Sequence, residues 1–361
     1  MAELLKNYYN QELMDKLAKS IAVYHQPFNQ SKFISNVFNH DWDNKELKQR
    51  MRHITNCLNE AIPLSYAQQI DVLKNTAPHF TGFLAMVFPD FVEVYGLNDL
   101  EISIDALTHF TQYSSSEFAV RPFITKYPTQ MIKQHLIWSK HKNYHVRRLA
   151  SEGIRPRLPW AMALPEFKKD PTPIIPILNN LITDEHEYVR RSVANCINDI
   201  SKDHPQIVLQ IINIWQNKSE EIDWVLKHAS RGLLKKGHAE ILNSFGLNDQ
   251  IKTELNYLQI DKNKIPIGGS LQFKFGITLL EKQETKVRLE YKVYYAKANG
   301  KQLPKIFQIG TYTLKPNEVF EVNKKQLFAN LTTRKHYAGQ HKIAVVVNGK
   351  EMGNIEFELI D

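Results

Sequence analysis

The spacing of apolar residues divides the chain into two parts. In LLKNYYNQELMDKLAKSI, PIIPILNNLI and PQIVLQIINIW, apolar residues recur every three or four positions, which is the period of an amphipathic helix. In LQFKFGI, VRLEYKVYY, FQIGTYTL and HKIAVVV, polar and apolar residues alternate between turn residues, which is typical of an antiparallel sandwich. The pattern predicts helices over residues 1–250, strands over residues 251–361, and a linker near Phe245–Lys264.

The helical part contains an internal repeat. Residues 126–153 align with residues 203–232, and in each copy a proline opens a helix and a tryptophan follows ten residues later. A further copy lies between them. The second helices of the three copies begin at Val146, Val189 and Val225, which are 43 and 36 residues apart. Helix pairs at this distance predict a HEAT-like solenoid, which buries one helix face and leaves a long curved surface on the other.

A row of polar residues follows the apolar face of each second helix. Because side chains four positions apart on a helix are neighbours, the members of one row should cluster. If the three helices stack, we expect their polar rows to form a cationic strip with carboxylates at two points. The rows are Arg148, Glu152 and Arg155, then Arg191, Asn195 and Asp199, then Lys227, Arg231 and Lys235.

Positive charge is concentrated in two stretches of a chain whose net charge is +8. Residues 121–160 hold nine Lys and Arg and a single acid, Glu152, and residues 251–361 hold 18 Lys and Arg against 11 Asp and Glu. A concentrated basic surface favours a polyanion such as DNA, because each neutralised phosphate releases condensed counterions. A basic surface that only aids solubility is the alternative.

Other features restrict the class of protein. The chain has no run of about 18 apolar residues, which indicates no membrane span, and its first residues lack the apolar region of a signal peptide. Two cysteines in 361 residues cannot build a disulfide framework, so we expect a reduced, cytoplasmic protein. His141 and His145 have a zinc-like spacing without a visible third ligand, so we expect no metal.

The carboxylates allow a catalytic and a structural interpretation. A carboxylate on a DNA-binding surface is useful where positive charge forms, as in the oxocarbenium-like sugar of glycosidic hydrolysis. Alternatively, Glu152 forms an ion pair within its helix, Glu117 closes a helix N-terminus through a capping box, and Asp199 is solvated. Trp160 either stacks on a base or packs between repeats.

Three segments resemble the AlkC branch of the AlkC/AlkD alkylpurine DNA glycosylases: SSSEFAVRPFI (114–124), HVRRLASEGIRPRLPWA (145–161) and EYVRRSVANCINDISKDHP (187–205). The resemblance implies an all-α HEAT-like solenoid over residues 1–250 that binds damaged duplex DNA. It also implies an all-β immunoglobulin-like sandwich over residues 251–361, which we expect to act as an accessory DNA-binding domain. The implied reaction is excision of cationic bases such as 3-methyladenine and 3-methylcytosine without conventional base flipping.

The resemblance also assigns roles to residues. Glu117, Glu152 and Asp199 take the catalytic carboxylate positions, and Trp160 would contact the lesion or its sugar. Arg148 and Arg155 would hold flanking phosphates or order Glu152. We expect a monomeric, monofunctional enzyme without metal or cofactor; a non-enzymatic HEAT scaffold and a structure-specific DNA-binding protein are the alternatives. The predicted DNA-binding residues are Arg148, Arg155, Arg157, Arg191, Lys227 and Arg231.

Overall fold

A computed structural model describes residues 5–330 and 334–361. The described chain is helical up to residue 244, with short 3₁₀ turns between helices, and forms strands from residue 253 onward. The helices are α1 (Gln11–Tyr24), α2 (Gln30–Val37), α3 (Leu47–Ala61), α4 (Tyr66–Thr76), α5 (Val87–Tyr95), α6 (Leu100–Phe110), α7 (Val120–Lys126), α8 (Pro128–Trp138), α9 (Tyr144–Glu152), α10 (Pro165–Lys169), α11 (Ile175–Leu181), α12 (Glu187–Ile200), α13 (Pro205–Trp215), α14 (Glu220–Ala229), α15 (Arg231–Lys236) and α16 (Ala239–Ser244).

The chain forms two compact units. The first contains the described residues up to Asp203 together with Asn217–Ala229, and the second contains His204–Gln216 together with the described residues from Ser230 onward. Helices α13, α15 and α16 therefore cluster with the strands. The predicted domain boundary near residue 250 coincides with the change from helix to strand, and as a functional boundary it stays a prediction.

The second helices of the predicted repeat lie in the first unit, whereas α13, the first helix of the third pair, belongs to the second unit. The second helices α9, α12 and α14 pack side by side in chain order. Their apolar faces are buried, with Val146, Val189 and Val225 each 0% exposed, because removing this apolar surface from water drives the stacking. The tryptophan of the first copy, Trp138, is buried, whereas Trp215 is half-buried.

The strands form a sandwich of two sheets. They are β1 (Thr253–Ile260), β2 (Lys264–Pro266), β3 (Ser270–Leu279), β4 (Thr285–Ala296), β5 (Gln302–Leu314), β6 (Val319–Leu327), β7 (Gly339–Val347) and β8 (Lys350–Ile360). One sheet has the order β1-β3-β6 and the other β2-β8-β7-β4-β5. Their inner faces share one apolar core, in which the rings of Phe273 and Tyr291 lie 5.0 Å apart. The predicted helical solenoid followed by an all-β sandwich is confirmed.

Two details of the predicted strand pattern are wrong. β2 pairs with β8 in parallel, so the sandwich is not wholly antiparallel. The segment predicted as a linker, Phe245–Lys264, contains all of β1, whose alternating side chains pair with β3. Asn348 and Gly349 form the tight turn between β7 and β8: both have positive φ (45° and 82°), as such a hairpin requires.

Candidate active site

Three segments of the first unit bring the predicted carboxylates together. Glu117 lies between α6 and α7, Glu152 ends α9, and Asp199 lies near the end of α12. Helix α9 begins at Asn143, whose side chain accepts a hydrogen bond from the His145 backbone amide at 2.8 Å and so satisfies a free N–H at the helix start. Since α9 and α12 pack against each other, Arg155, just after α9, becomes a neighbour of Asp199, 44 positions later in the chain.

Arg148 links two of the carboxylates. Its Nη1 donates to Oε2 of Glu117 at 3.3 Å and to the Ser115 hydroxyl at 3.0 Å, while its Nη2 lies 3.8 Å from Oε1 of Glu152. The guanidinium also stacks over the Tyr188 ring, 4.5 Å from the ring centre. Arg148 is thereby held in place from several directions between the two glutamates.

Arg155 links Glu152 to the third carboxylate. Its Nη1 donates to Oε1 of Glu152 at 2.6 Å and its Nε donates to Oδ2 of Asp199 at 2.9 Å. The second oxygen of Glu152 accepts a hydrogen bond from Ser192 at 2.7 Å, and Lys202 donates to Oδ1 of Asp199 at 3.0 Å. Both oxygens of Glu152 and both oxygens of Asp199 are therefore bound.

These five groups, Glu117, Arg148, Glu152, Arg155 and Asp199, form what we call the charged cluster. Burial opposes protonation of both arginines, but the nearby carboxylates outweigh it: Glu117 and Glu152 raise the pKa of Arg148, and Glu152 and Asp199 raise the pKa of Arg155. Three carboxylates and two guanidiniums give the cluster a formal charge of −1 when all five are charged, and the ammonium of Lys202, which pairs with Asp199, balances that charge. The attraction of the cluster for a cation therefore depends on which carboxylate lies closest to the cation.

A cavity of about 560 Å³ opens beside the charged cluster. Its walls include Glu117, Phe118, Arg148, Trp160 and Tyr188, and we call it the Glu117 cavity. The volume falls in the range of small-molecule sites, about 300–1,000 Å³. Glu117 contributes a carboxylate to this wall, whereas Glu152 lies behind it and is connected to the wall through Arg148.

Trp160 is an exposed aromatic residue of this region. It is 70% exposed, and its backbone has φ 64°, in the left-handed region. That conformation costs about 1–2 kcal/mol for a residue with a Cβ. Trp160 also borders a second cavity of about 530 Å³, which we call the Lys48 cavity and which Phe118 and Lys48 line as well. The exposure argues against the alternative in which Trp160 packs between repeats.

The predicted DNA-binding cations differ in their surroundings. Arg155 is 8% exposed and bound within the charged cluster, so the structure favours its predicted ordering role over a phosphate contact. Arg157 forms an ion pair with Asp203. Arg191 is exposed, pairs with Glu187 and lies over the Trp224 ring at 5.7 Å.

The other two predicted DNA-binding cations, Lys227 and Arg231, lie in different units. Lys227 is exposed on α14 of the first unit, and Arg231 opens α15 of the second. The third row was predicted along one helix, but that helix is interrupted at Ser230, between α14 and α15. Within the first unit, Arg148 and Arg155 are paired with carboxylates, and the helix that carries Lys227 ends at Ala229; the cationic strip stays a prediction.

Of the structural interpretations of the three carboxylates, the structure shows the ion pair of Glu152 but neither the capping box of Glu117 nor the solvation of Asp199. Glu152 does form ion pairs with Arg148 and Arg155. The predicted capping box at Glu117 is absent: α7 begins after Ala119 without a side-chain cap, and Glu117 instead pairs with Arg148. Asp199 is 2% exposed, so it is not a solvated helix residue.

Several residues of the site carried no signal in the sequence. Ser115, Tyr188 and Ser192 lie inside the three segments quoted above, but hydroxyl groups are too common there to be singled out. Lys48, on α3, lies in a region without a regular repeat. Their roles depend on contacts across 33 to 112 positions of the chain, which local spacing does not encode.

Among residues 5–330 and 334–361, no three His, Cys, Asp or Glu side chains form a group that could hold a metal ion. Within the same residues, no helix is long and apolar enough to cross a membrane.

Comparisons with known proteins agree with this organisation. A family model described as "DNA alkylation repair enzyme" matches residues 108–233, which include every carboxylate of the charged cluster. A second model, described as "Uncharacterised protein YhaZ, C-terminal Ig-like domain", matches residues 254–361. The two matches thus fall on the helical and strand regions respectively.

Two proteins are similar to this chain over nearly its whole length. The "Uncharacterized protein YhaZ" of Bacillus subtilis (strain 168) is 44% identical over 355 residues, which cover 98% of this chain and 99% of the relative. The solved structure of Pseudomonas fluorescens alkylpurine DNA glycosylase AlkC, bound to DNA containing an abasic site analog, is 33% identical with a TM-score of 0.95. That match covers 99% of this chain and 100% of the solved one.

Proposed function

The chain belongs to the AlkC-type alkylpurine DNA glycosylases that carry a C-terminal immunoglobulin-like domain, and on that premise we propose its substrate and mechanism. The substrate is duplex DNA containing a small cationic alkylated base, such as 3-methyladenine or 3-methylcytosine. The protein hydrolyses the N-glycosidic bond of that base as a monomer, without metal or cofactor. The observation that carries the proposal is the charged cluster beside the Glu117 cavity.

The charge of the cluster suits the proposed reaction. As the glycosidic bond breaks, positive charge moves from the alkylated base onto the sugar. The carboxylate of Glu117 on the cavity wall favours that sugar cation, because interactions that strengthen in the transition state are the ones that accelerate the reaction. Glu117 stabilises the sugar from the cavity wall, and Glu152 acts with it through the shared Arg148. Glu117 orients and deprotonates the attacking water, since both oxygens of Glu152 and both oxygens of Asp199 are already bound.

Two further features follow from a cationic substrate. The leaving base is already positively charged and departs as a neutral molecule, so no general acid is required. Water is the nucleophile, so the product is an abasic site and the DNA strand stays intact. Trp160, exposed on its loop, stacks on the lesion or its sugar from outside, which is compatible with excision without conventional base flipping.

The mechanism is tested by single-turnover release of 3-methyladenine from duplex DNA. Glu117→Gln and Glu152→Gln each remove one negative charge and keep the shape of the side chain, and we expect each to slow release at least about 100-fold. Glu185→Gln is the matched control, since Glu185 is an exposed carboxylate that pairs with Arg147, and it should release base at the wild-type rate.

Each outcome of this assay has a defined meaning. Wild-type release by Glu152→Gln would show that Glu152 is only an ion-pair partner in its helix. Absence of release by the wild-type protein would contradict the proposed activity. In that case DNA binding without release would indicate a structure-specific DNA-binding protein, and absence of both would indicate a HEAT scaffold.

A further inference from the structure

The position of Trp160 depends on the backbone of its loop. The side chain is largely exposed, so the loop that follows α9, residues 153–164, sets where the ring points. The left-handed backbone of Trp160 is unfavourable for a residue with a Cβ, and such a conformation persists only where the surroundings enforce it. Groups outside the loop must therefore hold Trp160 in this backbone conformation.

Two cations from other helices bind backbone carbonyl groups of this loop. Lys48, on α3, donates through Nζ to the carbonyl oxygen of Trp160 itself. Arg121, on α7, donates through Nε to the carbonyl oxygen of Met162 at 2.6 Å and through Nη1 to that of Gly153 at 3.0 Å. The loop is therefore held at both ends and at Trp160.

Arg121 is an unusual residue in this place. It is 0% exposed, and burial, followed by repulsion from Arg155, lowers its pKa to about 10. Among the described residues, its side-chain hydrogen bonds go to backbone carbonyls, and a buried charge without a direct carboxylate partner is costly. Its two backbone contacts join α7 to both ends of the Trp160 loop.

Lys48 has a second contact that places it at the site. Its Nζ lies 4.7 Å from the centre of the Phe118 ring, and Phe118 lines both the Glu117 cavity and the Lys48 cavity, as Trp160 does. The ammonium group therefore bridges the two aromatic residues that separate the cavities, one through its ring and the other through its backbone.

We propose that Lys48 and Arg121 are positioning residues, which clamp the 153–164 loop so that Trp160 is held at the Glu117 cavity. This inference rests on the proposed function only for the role of Trp160 at the lesion; the clamp itself is a property of the free protein. Lys48 acts through Trp160, not by contact with a phosphate.

The first experiment measures the clamp without DNA. In wild-type protein the Ala161 amide donates to the Leu158 carbonyl and the Leu164 amide to the Pro156 carbonyl, both within the loop. We expect Lys48→Met to accelerate hydrogen exchange at the Ala161 and Leu164 amides, and Lys48→Arg, which keeps a donor, to restore slow exchange. Lys45→Met is the control: Lys45 lies nearby and pairs with Asp41, so it removes an equal charge without touching the loop.

The second experiment is a double-mutant cycle on single-turnover base release. Lys48→Met should slow release about tenfold or more, because a small misplacement of a positioned group is costly, while affinity for undamaged DNA changes less than twofold. In a Trp160→Ala background, Lys48→Met should have no further effect. Arg121→Lys, which can reach only one of the two carbonyls, should follow the same pattern, with thermal unfolding as its folding control.

The outcomes separate the clamp from the proposed reaction. Unchanged exchange in Lys48→Met overturns the clamp, whether or not the protein releases base. Additive effects of Lys48→Met and Trp160→Ala, with a salt dependence of binding that falls by about one unit, would identify Lys48 as a phosphate contact and overturn the positioning role. If wild-type protein releases no base, the proposed function fails and the exchange measurement alone decides the clamp.

Discussion

At the scale of single residues, chemically similar side chains have different surroundings. Glu117 and Glu152 are both almost fully buried, but Glu117 lies on a cavity wall, whereas the two oxygens of Glu152 are bound by Arg155 and Ser192. Trp138 and Trp160 show the same contrast between a core and an exposed position. Residue type alone therefore does not assign a role.

Backbone strain at Trp160 leads to a prediction at this scale. We expect Trp160→Gly to be more stable than Trp160→Ala by about 0.5–1 kcal/mol, since glycine relieves the left-handed strain but loses part of the gain through its more flexible unfolded chain. Urea denaturation of the two variants measures the difference. Both should lose base release, and equal stabilities would show that the loop relaxes to an ordinary backbone once the indole is gone.

At the scale of elements, the site depends on how α9 packs against α12. The Ser151 and Ser192 hydroxyls lie 2.7 Å apart across this interface, and small side chains at these positions allow the close approach that lets Arg155 reach Asp199. The repeat predicted the two helices and their buried faces. It did not predict that the polar row of one helix would pair with the polar row of the next.

The buried ion pair of Arg155 and Asp199 joins the end of α9 to α12, and its contribution to stability can be predicted. Asp199→Asn leaves the buried Arg155 with one charged partner, and we expect a loss of about 3 kcal/mol in the free energy of unfolding. Asp203→Asn is the comparison, because its partner Arg157 is about a quarter exposed, and it should cost less than about 1 kcal/mol. Equal losses in urea denaturation would mean that Asp199 is not the structural anchor of the cluster.

At the scale of the whole molecule, the compact units do not coincide with the change from helix to strand. Within the second unit, the Asn348 side chain donates to the Asn248 carbonyl at 2.7 Å, and Lys286 donates to the Phe245 carbonyl at 3.2 Å. A truncation at residue 250 would break these contacts and expose helices that pack in this unit. Substitutions on the surface are therefore the sharper probe of its role.

The accessory role of the sandwich is a prediction for this scale. Lys297, Arg334 and Lys335 line a cavity of about 510 Å³, and we expect them to contact DNA phosphates. Replacing Lys297 and Lys335 by Gln should weaken binding and reduce the salt dependence of log K by up to about two. The control replaces Lys274 and Lys325, exposed lysines of the three-stranded sheet, by Gln. An identical salt dependence in both double variants would argue against these contacts.

The sequence by itself determined the change from helices to strands, the repeat, the sandwich and the candidate site residues, because helix and strand periodicity and short motifs are local properties. The structure decided how those residues combine. Glu117 and Arg148 are 31 positions apart, and Arg155 and Asp199 are 44 apart, so their pairing follows from helix packing and not from spacing.

The sequence indicated Glu152 as the centre of the site because it is the single acid in a basic stretch, and composition is a local property. Tertiary structure placed Glu117 and Trp160 on the cavity wall with Glu152 behind them, because which side chain faces a cavity depends on all the elements that surround it.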